Sequence, residues 1–353
     1  DTNGFTRQNW FEPVGKECKM LREKAGIIDI SNFAKYVVQG KKGRDWLDAV
    51  FANKIPTEVG RSCLTPLISR RGGLAGDFTV TLIAQDEYWI FGSGMAERYH
   101  KRFFDSVPLP EGVSFDSRTE AICGFNLAGP LSRKILQRLT NTSLNNEDFQ
   151  FMRSKRADLA GIDVKMLRVS FTGDLGWEVH CNTADQKALY TALLEAGKEF
   201  GAGPVGSRAL MSLRVEKGYG SWSREYSPEY WPQEVALDRL CKMDKAFLNK
   251  DAVAEALAQP ARETLVLLAL DGVQTDASNA DATGGEPIFK DGVGIGRVTS
   301  GAYGYTVGKS LALGYVKDAQ PGDRVDVMVL GVPHSAEILH EPPFDPKGEK
   351  LRA

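Results

Sequence analysis

The stretch SRRGGLAGDFTV, residues 69–80, sets a single acidic residue into an otherwise ordinary hairpin. Residues 70–73 (RRGG) predict a turn, because glycine adopts positive φ without a Cβ clash. Residues 78–82 (FTVTL) predict a strand, since β-branched and aromatic side chains favour one. Asp77 then falls at the start of that strand, where acidic residues are disfavoured, so its placement points to a purpose other than strand formation.

The composition is that of an ordinary globular protein. Of the 353 residues, 42% are hydrophobic and 25% are charged, and a chain of this length divides into roughly two or three subdomains. The 44 Lys and Arg residues nearly balance the 46 Asp and Glu residues, which argues against nucleic acid or an anionic membrane as a partner. No apolar run has the length of a membrane span and no signal-peptide pattern opens the chain. We therefore expect a cytoplasmic protein, or one of the mitochondrial matrix in a eukaryote.

Neither the cysteines nor the histidines are spaced like a metal site. The five cysteines contain no C-x-x-C pair, and the four histidines have no ligand spacing. We therefore expect no metal, and reduced, mostly buried thiols in an intracellular compartment. The positions are Cys18, Cys63, Cys123, Cys181, Cys241, His100, His180, His334 and His340.

The pattern of predicted secondary structure changes near residue 260. Helices and strands alternate before this point, whereas from Thr264 onward the chain consists of short strands separated by turn residues. Regular short strands are typical of a small antiparallel barrel or sandwich. We place a boundary at Gln259-Pro260, which gives two regions, 1–259 and 260–353.

Two glycine-containing stretches predict hairpins. GVGIGRV (292–298) follows a turn and leads into a strand, so it does not meet the requirements of a dinucleotide-binding loop. We therefore expect no bound flavin or nicotinamide on this chain. LRVSFTGDLGWEVHCN (167–182) predicts a second hairpin, with its turn at residues 172–174.

Two acids are candidate functional residues. Asp77 and Glu178 each lie in or beside a predicted strand next to a glycine-rich turn, where the backbone can approach a ligand closely. A carboxylate so placed is a candidate acid–base or binding group; the alternative is a surface strand residue or a turn cap. Phe171 flanks the same turn as Glu178, and Tyr219 and Trp222 follow a predicted helix. Two alternative roles stay open for these aromatic residues: packing in the core, or a platform on which a ligand stacks.

Five motifs in register resemble the folate-binding aminomethyltransferase family, whose type member is the T-protein of the glycine cleavage system. The motifs are NWFEPVGKECKMLREKAGIIDISNFAKYVVQG (9–40), LTPLISRRGGLAGDFTV (64–80), SFTGDLGWEV (170–179), SLRVEKGYGSW (212–222) and PPFDPKGEKLR (342–352). The resemblance is closer still to the carboxyl-terminal half of sarcosine and dimethylglycine dehydrogenases. It covers essentially the whole chain.

This resemblance implies an α+β fold. Three subdomains form a cloverleaf around a central channel that holds tetrahydrofolate, and the chain ends in an antiparallel β-barrel. The folate-binding region then occupies residues 1–259 as two interleaved α+β subdomains, and the barrel occupies residues 260–353.

The resemblance also implies roles for individual residues. Asp77 falls where the family keeps its catalytic acid, and a carboxylate at a strand edge can hold or deprotonate a folate amine. Glu178 falls where a carboxylate accepts hydrogen bonds from pterin N–H groups, and Phe171 falls where a tyrosine often packs on the pterin. The implied folate-binding residues are Glu178, Phe171, Arg208, Leu64, Thr79 and Tyr219.

The implied activity is tetrahydrofolate-dependent transfer of a methyl or methylene group from a small methylated amine or related donor. The chain then acts either as a stand-alone demethylase or as the folate half of a sarcosine or dimethylglycine dehydrogenase-type system, with a separate flavin domain or subunit as partner. Two alternatives stay open: a folate-binding regulatory or maturation protein without turnover, and a demethylase or scaffold that uses no folate. Asp77 favours an enzyme, because a pure binder needs no acid at the reacting nitrogen.

Overall fold

Three β-sheets organise the chain, and the computed structural model describes them over residues 8–273 and 280–353. The α-helices are α1 (Phe11–Glu23), α2 (Gly43–Val50), α3 (Glu97–Asp105), α4 (Ser132–Gln137), α5 (Gln186–Gly197), α6 (Ser207–Glu216), α7 (Lys250–Leu257) and α8 (Glu349–Arg352). The strands are β1 (Gly26–Asp29), β2 (Ala34–Gln39), β3 (Ser62–Ile68), β4 (Leu74–Ala84), β5 (Glu87–Gly92), β6 (Ser114–Ser117), β7 (Ile122–Ala128), β8 (Ser154–Leu159), β9 (Ile162–Leu167), β10 (Gly176–Asn182), β11 (Gly203–Pro204), β12 (Thr264–Leu270), β13 (Pro287–Lys290), β14 (Val293–Gly304), β15 (Lys309–Val316), β16 (Arg324–Val329) and β17 (Val332–Ile338).

The first sheet has the strand order β3–β4–β5–β2–β6 and contains the glycine-rich hairpin. Gly72, at φ 77°, and a hydrogen bond of 2.7 Å from the Ser69 N–H to the Gly73 carbonyl close the predicted turn. Gly73 is needed for a different reason, since a Cβ there would lie 2.2 Å from the Pro228 carbonyl oxygen. The turn is therefore confirmed.

The position of Asp77 within this hairpin differs from the prediction. β4 begins at Leu74 and has 11 residues, so Asp77 is an interior residue of the strand and not its start. The prediction was wrong because the small residues after the turn pair with β3: Gly76 is opposite Leu67, and Leu74 is opposite Ile68. An acid in the interior of a strand is more unusual than one at its end, and it needs a stronger reason.

The second sheet has the strand order β11–β1–β7–β10–β9–β8. β9 and β10 pair antiparallel, as the second predicted hairpin requires. The tight turn predicted at residues 172–174 was wrong, because residues 168–175 form a longer loop. The buried polar groups of Thr172 and Asp174 bond to Arg22 of α1, so they are not available to a two-strand turn.

The third sheet is a closed antiparallel barrel of β12, β15, β14, β13, β16 and β17. Alternate residues of β16 point inward, so Val325, Val327 and Val329 are buried. Asp291 and Gly292, both at positive φ, join β13 to β14, as in a two-residue hairpin turn. The glycine run is thus a hairpin, and the predicted α and β architecture with a C-terminal antiparallel barrel is confirmed.

The first two sheets bury separate hydrophobic cores. Phe78 of β4 lies in the core of the first sheet, and Trp177 of β10 lies in the core of the second. A smaller apolar cluster, which we call the inter-sheet contact, lies where the two sheets meet. Its buried members are Trp89, Phe91, Ile122 and Leu167.

The buried guanidinium of Arg22 joins separate parts of the chain. From α1 it bonds to Asp174, to the Thr172 carbonyl (2.7 Å) and to Glu216 of α6 (2.7 Å). The ring of Phe344 lies over it, with 3.5 Å from the guanidinium carbon to the ring centroid. One cation therefore faces two carboxylates, and its side chain is only 4% exposed.

Replacing Arg22 by alanine should destabilise the fold by about 3–5 kcal/mol, because both carboxylates would stay buried without their partner. Chemical unfolding followed by circular dichroism measures the change. The control is Arg156→Ala, which breaks an exposed pair with Asp163 (2.7 Å) and should barely move the unfolding midpoint. Equal midpoints for Arg22→Ala and the wild type would contradict this role.

Candidate active site

One face of β4 is polar and the other is apolar. Side chains alternate along a strand, so Phe78 enters the core of the first sheet while Asp77 and Thr79 point to the opposite face. Across the sheet, Thr79 is paired with Leu64 of β3 and with Phe91 of β5. These side chains form one wall of a candidate site.

A face of β10 supplies the facing wall. Trp177 lies in the core of the second sheet, so Glu178 and His180 point out from the other face of that sheet. The His180 ring stacks on Phe91 with 4.7 Å between ring centroids. This contact brings the two polar faces together, with Thr79 beside Phe91 on one wall and Glu178 beside His180 on the other.

Asp77 is a partly buried acid with an unsatisfied oxygen. Its Oδ1 is buried and has no hydrogen-bond partner among the described residues, while the residue as a whole keeps some exposure. Burial raises the pKa of Asp77 to about 6, since the carboxylate loses hydration there. Burial and then the charge of Asp77 raise the pKa of the nearby Tyr226. An acid that changes charge near neutral pH and keeps an unpaired oxygen can hold or move a proton for a ligand.

Glu178 is nearly enclosed and keeps acceptor capacity. Its side chain is 12% exposed and lies 3.4 Å from the Nε2 atom of His180. Burial lowers the pKa of His180, so the imidazole is a neutral partner. Burial also lowers the pKa of Lys35 to about 8, against the opposing effect of the Glu178 charge, and its ammonium donates to the carbonyls of Ser31 (2.9 Å) and Phe33 (2.8 Å). The Glu178 carboxylate can therefore accept further hydrogen bonds from a ligand.

Phe171 and Tyr219 form a stacked pair, with ring centroids 6.0 Å apart and 18° between planes. The loop that carries Phe171 is anchored by Arg22, and the Tyr219 carbonyl accepts a 2.7 Å hydrogen bond from Arg214. Both residues are partly exposed. Because Phe171 lies on the loop that leads into β10, the pair offers aromatic surface suited to a flat heteroaromatic ligand.

Leu64 and Arg208 are both predicted to bind folate, but they lie in different parts of the structure. Leu64 is 48% exposed and lies beside Thr79 at the open rim of the first sheet. Arg208 is exposed in the first turn of α6, where its guanidinium lies 4.4 Å from the centroid of the Trp10 ring. Tyr219 follows the other end of this helix, roughly 15 Å away along its axis. The structure does not bring Arg208 to the site, and its role in folate binding stays a prediction.

Sequence reasoning misses three neighbours of the site: Lys35, His180 and Tyr226. His180 could have been found, because it follows Glu178 by two positions on one strand and so shares its face. Tyr226 packs so tightly on Gly220 that a Cβ there would lie 2.5 Å from the tyrosine ring. That contact and the position of Lys35 depend on tertiary packing, which no local pattern shows.

Over residues 8–273 and 280–353, no group of three or more His, Cys, Asp or Glu side chains is arranged to hold a metal ion. In the same part of the chain, no helix combines the length and apolar character needed to cross a membrane. The side chains that the described residues bring to the site are carboxylates, an imidazole, an ammonium group, hydroxyls and aromatic or aliphatic groups.

Two family models match the chain. The GCVT N-terminal domain matches residues 1–245, and the glycine cleavage T-protein C-terminal barrel domain matches residues 265–345. The chain therefore belongs to the glycine cleavage T-protein family. It is similar to the aminomethyltransferase of Saccharopolyspora erythraea, with 31% identity over 340 residues that cover 92% of this chain and 88% of that protein. The family expected from the motifs is confirmed.

The chain is also similar to part of a longer protein. The mitochondrial dimethylglycine dehydrogenase of Mus musculus is 34% identical over 344 residues, which cover 96% of this chain but only 39% of that protein. The chain thus spans about two-fifths of the length of such relatives. Among solved structures, the glycine cleavage system aminomethyltransferase T from Bartonella henselae has a TM-score of 0.84 at 23% identity, covering 94% of this chain and 90% of that one. The two proteins share a fold.

The raised pKa of Asp77 predicts a pH-dependent cost in stability. The native protein binds more protons at this site than the unfolded chain does, so stability falls as the pH rises from about 4 to above 6. Asn is neutral at every pH, and the gain in stability from Asp77→Asn should therefore be roughly 2–3 kcal/mol larger at pH 8 than at pH 4. Chemical unfolding at both pH values measures it, with exposed Asp116→Asn as a control that should show no such trend. A stability difference between Asp77→Asn and the wild type that stays the same at pH 4 and pH 8 would contradict the raised pKa of Asp77.

Proposed function

We propose that this protein binds a reduced folate between the polar faces of the first and second sheets and transfers a one-carbon unit there. The observation that carries the proposal is Asp77, an interior strand acid whose buried Oδ1 lacks a partner and whose pKa is raised to about 6. Membership of the T-protein family supports it. The relative from Saccharopolyspora erythraea is itself an aminomethyltransferase.

The residues present fit a folate. Glu178 has room to accept hydrogen bonds from pterin N–H groups, and the rings of Phe171 and Tyr219 offer a flat apolar surface. Leu64 and Thr79 contribute the rim of the opposite wall. Tetrahydrofolate supplies the amine nitrogens that accept a one-carbon unit. Asp77 holds or removes a proton at such an amine, and its pKa near neutrality lets it serve in both protonation states.

The donor that we propose is a small N-methylated amine or a related methyl donor. Dimethylglycine dehydrogenase, of which the chain covers 39%, suggests a flavin-containing dehydrogenase domain or subunit as partner. Transfer at a nearby folate site suits such a partnership, because a reactive iminium hydrolyses when released into water. The match to the aminomethyltransferase of Saccharopolyspora erythraea covers 88% of that protein, and this supports the alternative that the chain acts as a stand-alone enzyme. A cytoplasmic or mitochondrial-matrix location fits both.

Two rival functions make different predictions. A folate-binding regulatory or maturation protein would need Glu178 and the aromatic pair but not a proton-transfer group, so the state of Asp77 favours an enzyme. A scaffold or demethylase without folate would need neither these folate-binding residues nor an acid at a folate amine. Folate affinity and turnover, measured separately, distinguish the three functions.

Glu178→Ala should weaken tetrahydrofolate binding by about 2–4 kcal/mol, roughly 30- to 1000-fold, because charge-assisted hydrogen bonds would be lost. Calorimetric titration measures the affinity. Glu195→Ala, which removes a 59% exposed carboxylate from α5, is the matched control and should bind like the wild type. Equal affinity of Glu178→Ala and the wild type would remove Glu178 from the site, and no binding by the wild type would overturn the proposal.

Asp77→Asn should keep most of the folate affinity, because the side chain stays nearly isosteric, yet lower turnover by about 10²–10⁴-fold. The assay follows one-carbon transfer to tetrahydrofolate, with dimethylglycine and sarcosine supplied alongside a flavoenzyme that oxidises them, and with aminomethylated donors. Asp116→Asn again serves as control. Normal turnover in Asp77→Asn would refute the catalytic role, and a wild type that binds folate without turning over any donor would favour the regulatory function.

A further inference from the structure

Two cysteines that are 58 positions apart in the sequence lie side by side in the second sheet. Cys123 of β7 is directly opposite Cys181 of β10, and their Sγ atoms are 3.3 Å apart. The backbone bonds from Gly129 to Leu175 and from Thr183 to Ala121 fix this pair as a hydrogen-bonded one, for which Cα atoms lie about 5.5 Å apart. That separation is within the range that a disulfide spans, roughly 4.4–6.8 Å.

The two thiols differ in acidity from each other and from the remaining cysteines. The hydrogen bond from Cys181 and, more weakly, the charge of Lys35 lower the pKa of Cys123, while the pKa of Cys181 is raised. Burial raises the pKa of Cys18, Cys63 and Cys241 to about 12 in each case. Cys123 is therefore the thiol best able to form a nucleophilic thiolate, with a second thiol in contact.

A cavity borders Cys123. It has a volume of about 330 Å³, and its lining includes Ser31, Asn32, Thr119, Cys123 and Gln186. Asn32 lies at its exposed side. The cavity is polar and large enough to hold water or a small hydroperoxide next to Cys123, which is itself only 2% exposed.

We propose that Cys123 and Cys181 form an oxidisable dithiol, which hydroperoxides convert into an intramolecular disulfide. This site is separate from the folate site and does not rest on the proposed function. The Cys123 thiolate attacks one peroxide oxygen, so that an S–O bond forms, the O–O bond breaks, and water or an alcohol leaves after taking up a proton. The Cys181 sulfur then attacks the resulting sulfenic acid, which forms the S–S bond and releases water. The two thiols lose two electrons in total, and the peroxide gains them.

The consequence for the fold is a covalent link between β7 and β10 near the C-terminal end of β10, next to His180, which projects from the opposite face. Because neighbouring strands of one sheet are linked, the disulfide restrains the wall of the candidate active site without entering it. Cys123 and Cys181 lie on the core face, next to Phe125 and Val179, whereas Glu178 lies on the other face.

The test treats the full chain, reduced and then freed of reductant, with hydrogen peroxide at a low molar ratio. Remaining thiols are alkylated, and the protein is digested without reduction for mass spectrometry. The expected result is a peptide pair joined through Cys123 and Cys181 with loss of two hydrogens, formed at least about tenfold faster than any oxidation of Cys18, Cys63 or Cys241. This measurement needs no substitution, so it does not depend on the folding of a variant.

Two variants test the order of the steps. Cys181→Ser should accumulate a sulfenic acid at Cys123 that dimedone traps, because the resolving thiol is gone. Cys241→Ser, which removes a buried thiol elsewhere, should behave like the wild type. Equal oxidation rates at all five cysteines, a disulfide that joins other cysteines, or overoxidation of Cys123 in the wild type without a link to Cys181 would each overturn the proposal.

Discussion

The alternation of side chains along two strands is the constraint on which the site depends. Once Phe78 occupies the core of the first sheet, Asp77 and Thr79 must point to the other face, and once Trp177 occupies the core of the second sheet, Glu178 must do the same. A shift of one residue in either strand would bury the acids and expose the aromatic rings. The two hydrophobic cores therefore fix the register of both strands. This register places each carboxylate on the face of its sheet that points away from the core.

The two acids stand in different environments, and this difference suits them to different tasks. Asp77 has no hydrogen-bond partner at Oδ1 and is more readily protonated than an ordinary aspartate. Glu178 has the neutral imidazole of His180 at 3.4 Å and the buried ammonium of Lys35 nearby. In the proposed function, the group poised between its protonation states would transfer a proton, and the carboxylate held beside cationic and neutral donors would accept hydrogen bonds from N–H groups.

Local patterns in the sequence predict those features of the fold that local chemistry decides. The RRGG turn, the hairpin at the Asp291-Gly292 turn and the short strands of the barrel all follow from glycine conformation and from β-branched residues. The start of β4 and the loop at residues 168–175 could not be predicted in this way. Pairing with β3 extends β4 towards the turn. The loop at residues 168–175 bonds to the buried Arg22 of α1, which is far away in the sequence.

The residues of the candidate site also divide into those that local sequence patterns indicate and those that only the tertiary structure brings together. The motifs single out Asp77, Glu178 and Phe171, because an acid or a ring beside a glycine-rich turn is visible along the chain. Family resemblance adds Arg208, whose guanidinium lies over the Trp10 ring at the start of α6 and whose role in folate binding stays a prediction. The pairing of Cys123 with Cys181 is invisible in their spacing, since strand register alone makes them neighbours.

Each wall is backed by its own hydrophobic core, and the two sheets also meet through backbone hydrogen bonds that join residues 60–62 to residues 152–154. The inter-sheet contact that joins them is small, with Trp89, Phe91, Ile122 and Leu167 as its buried members. Loosening that contact costs far less than opening either core, because much less apolar surface would be exposed to water. A substitution that reshapes one wall therefore leaves the hydrophobic core behind the other wall intact.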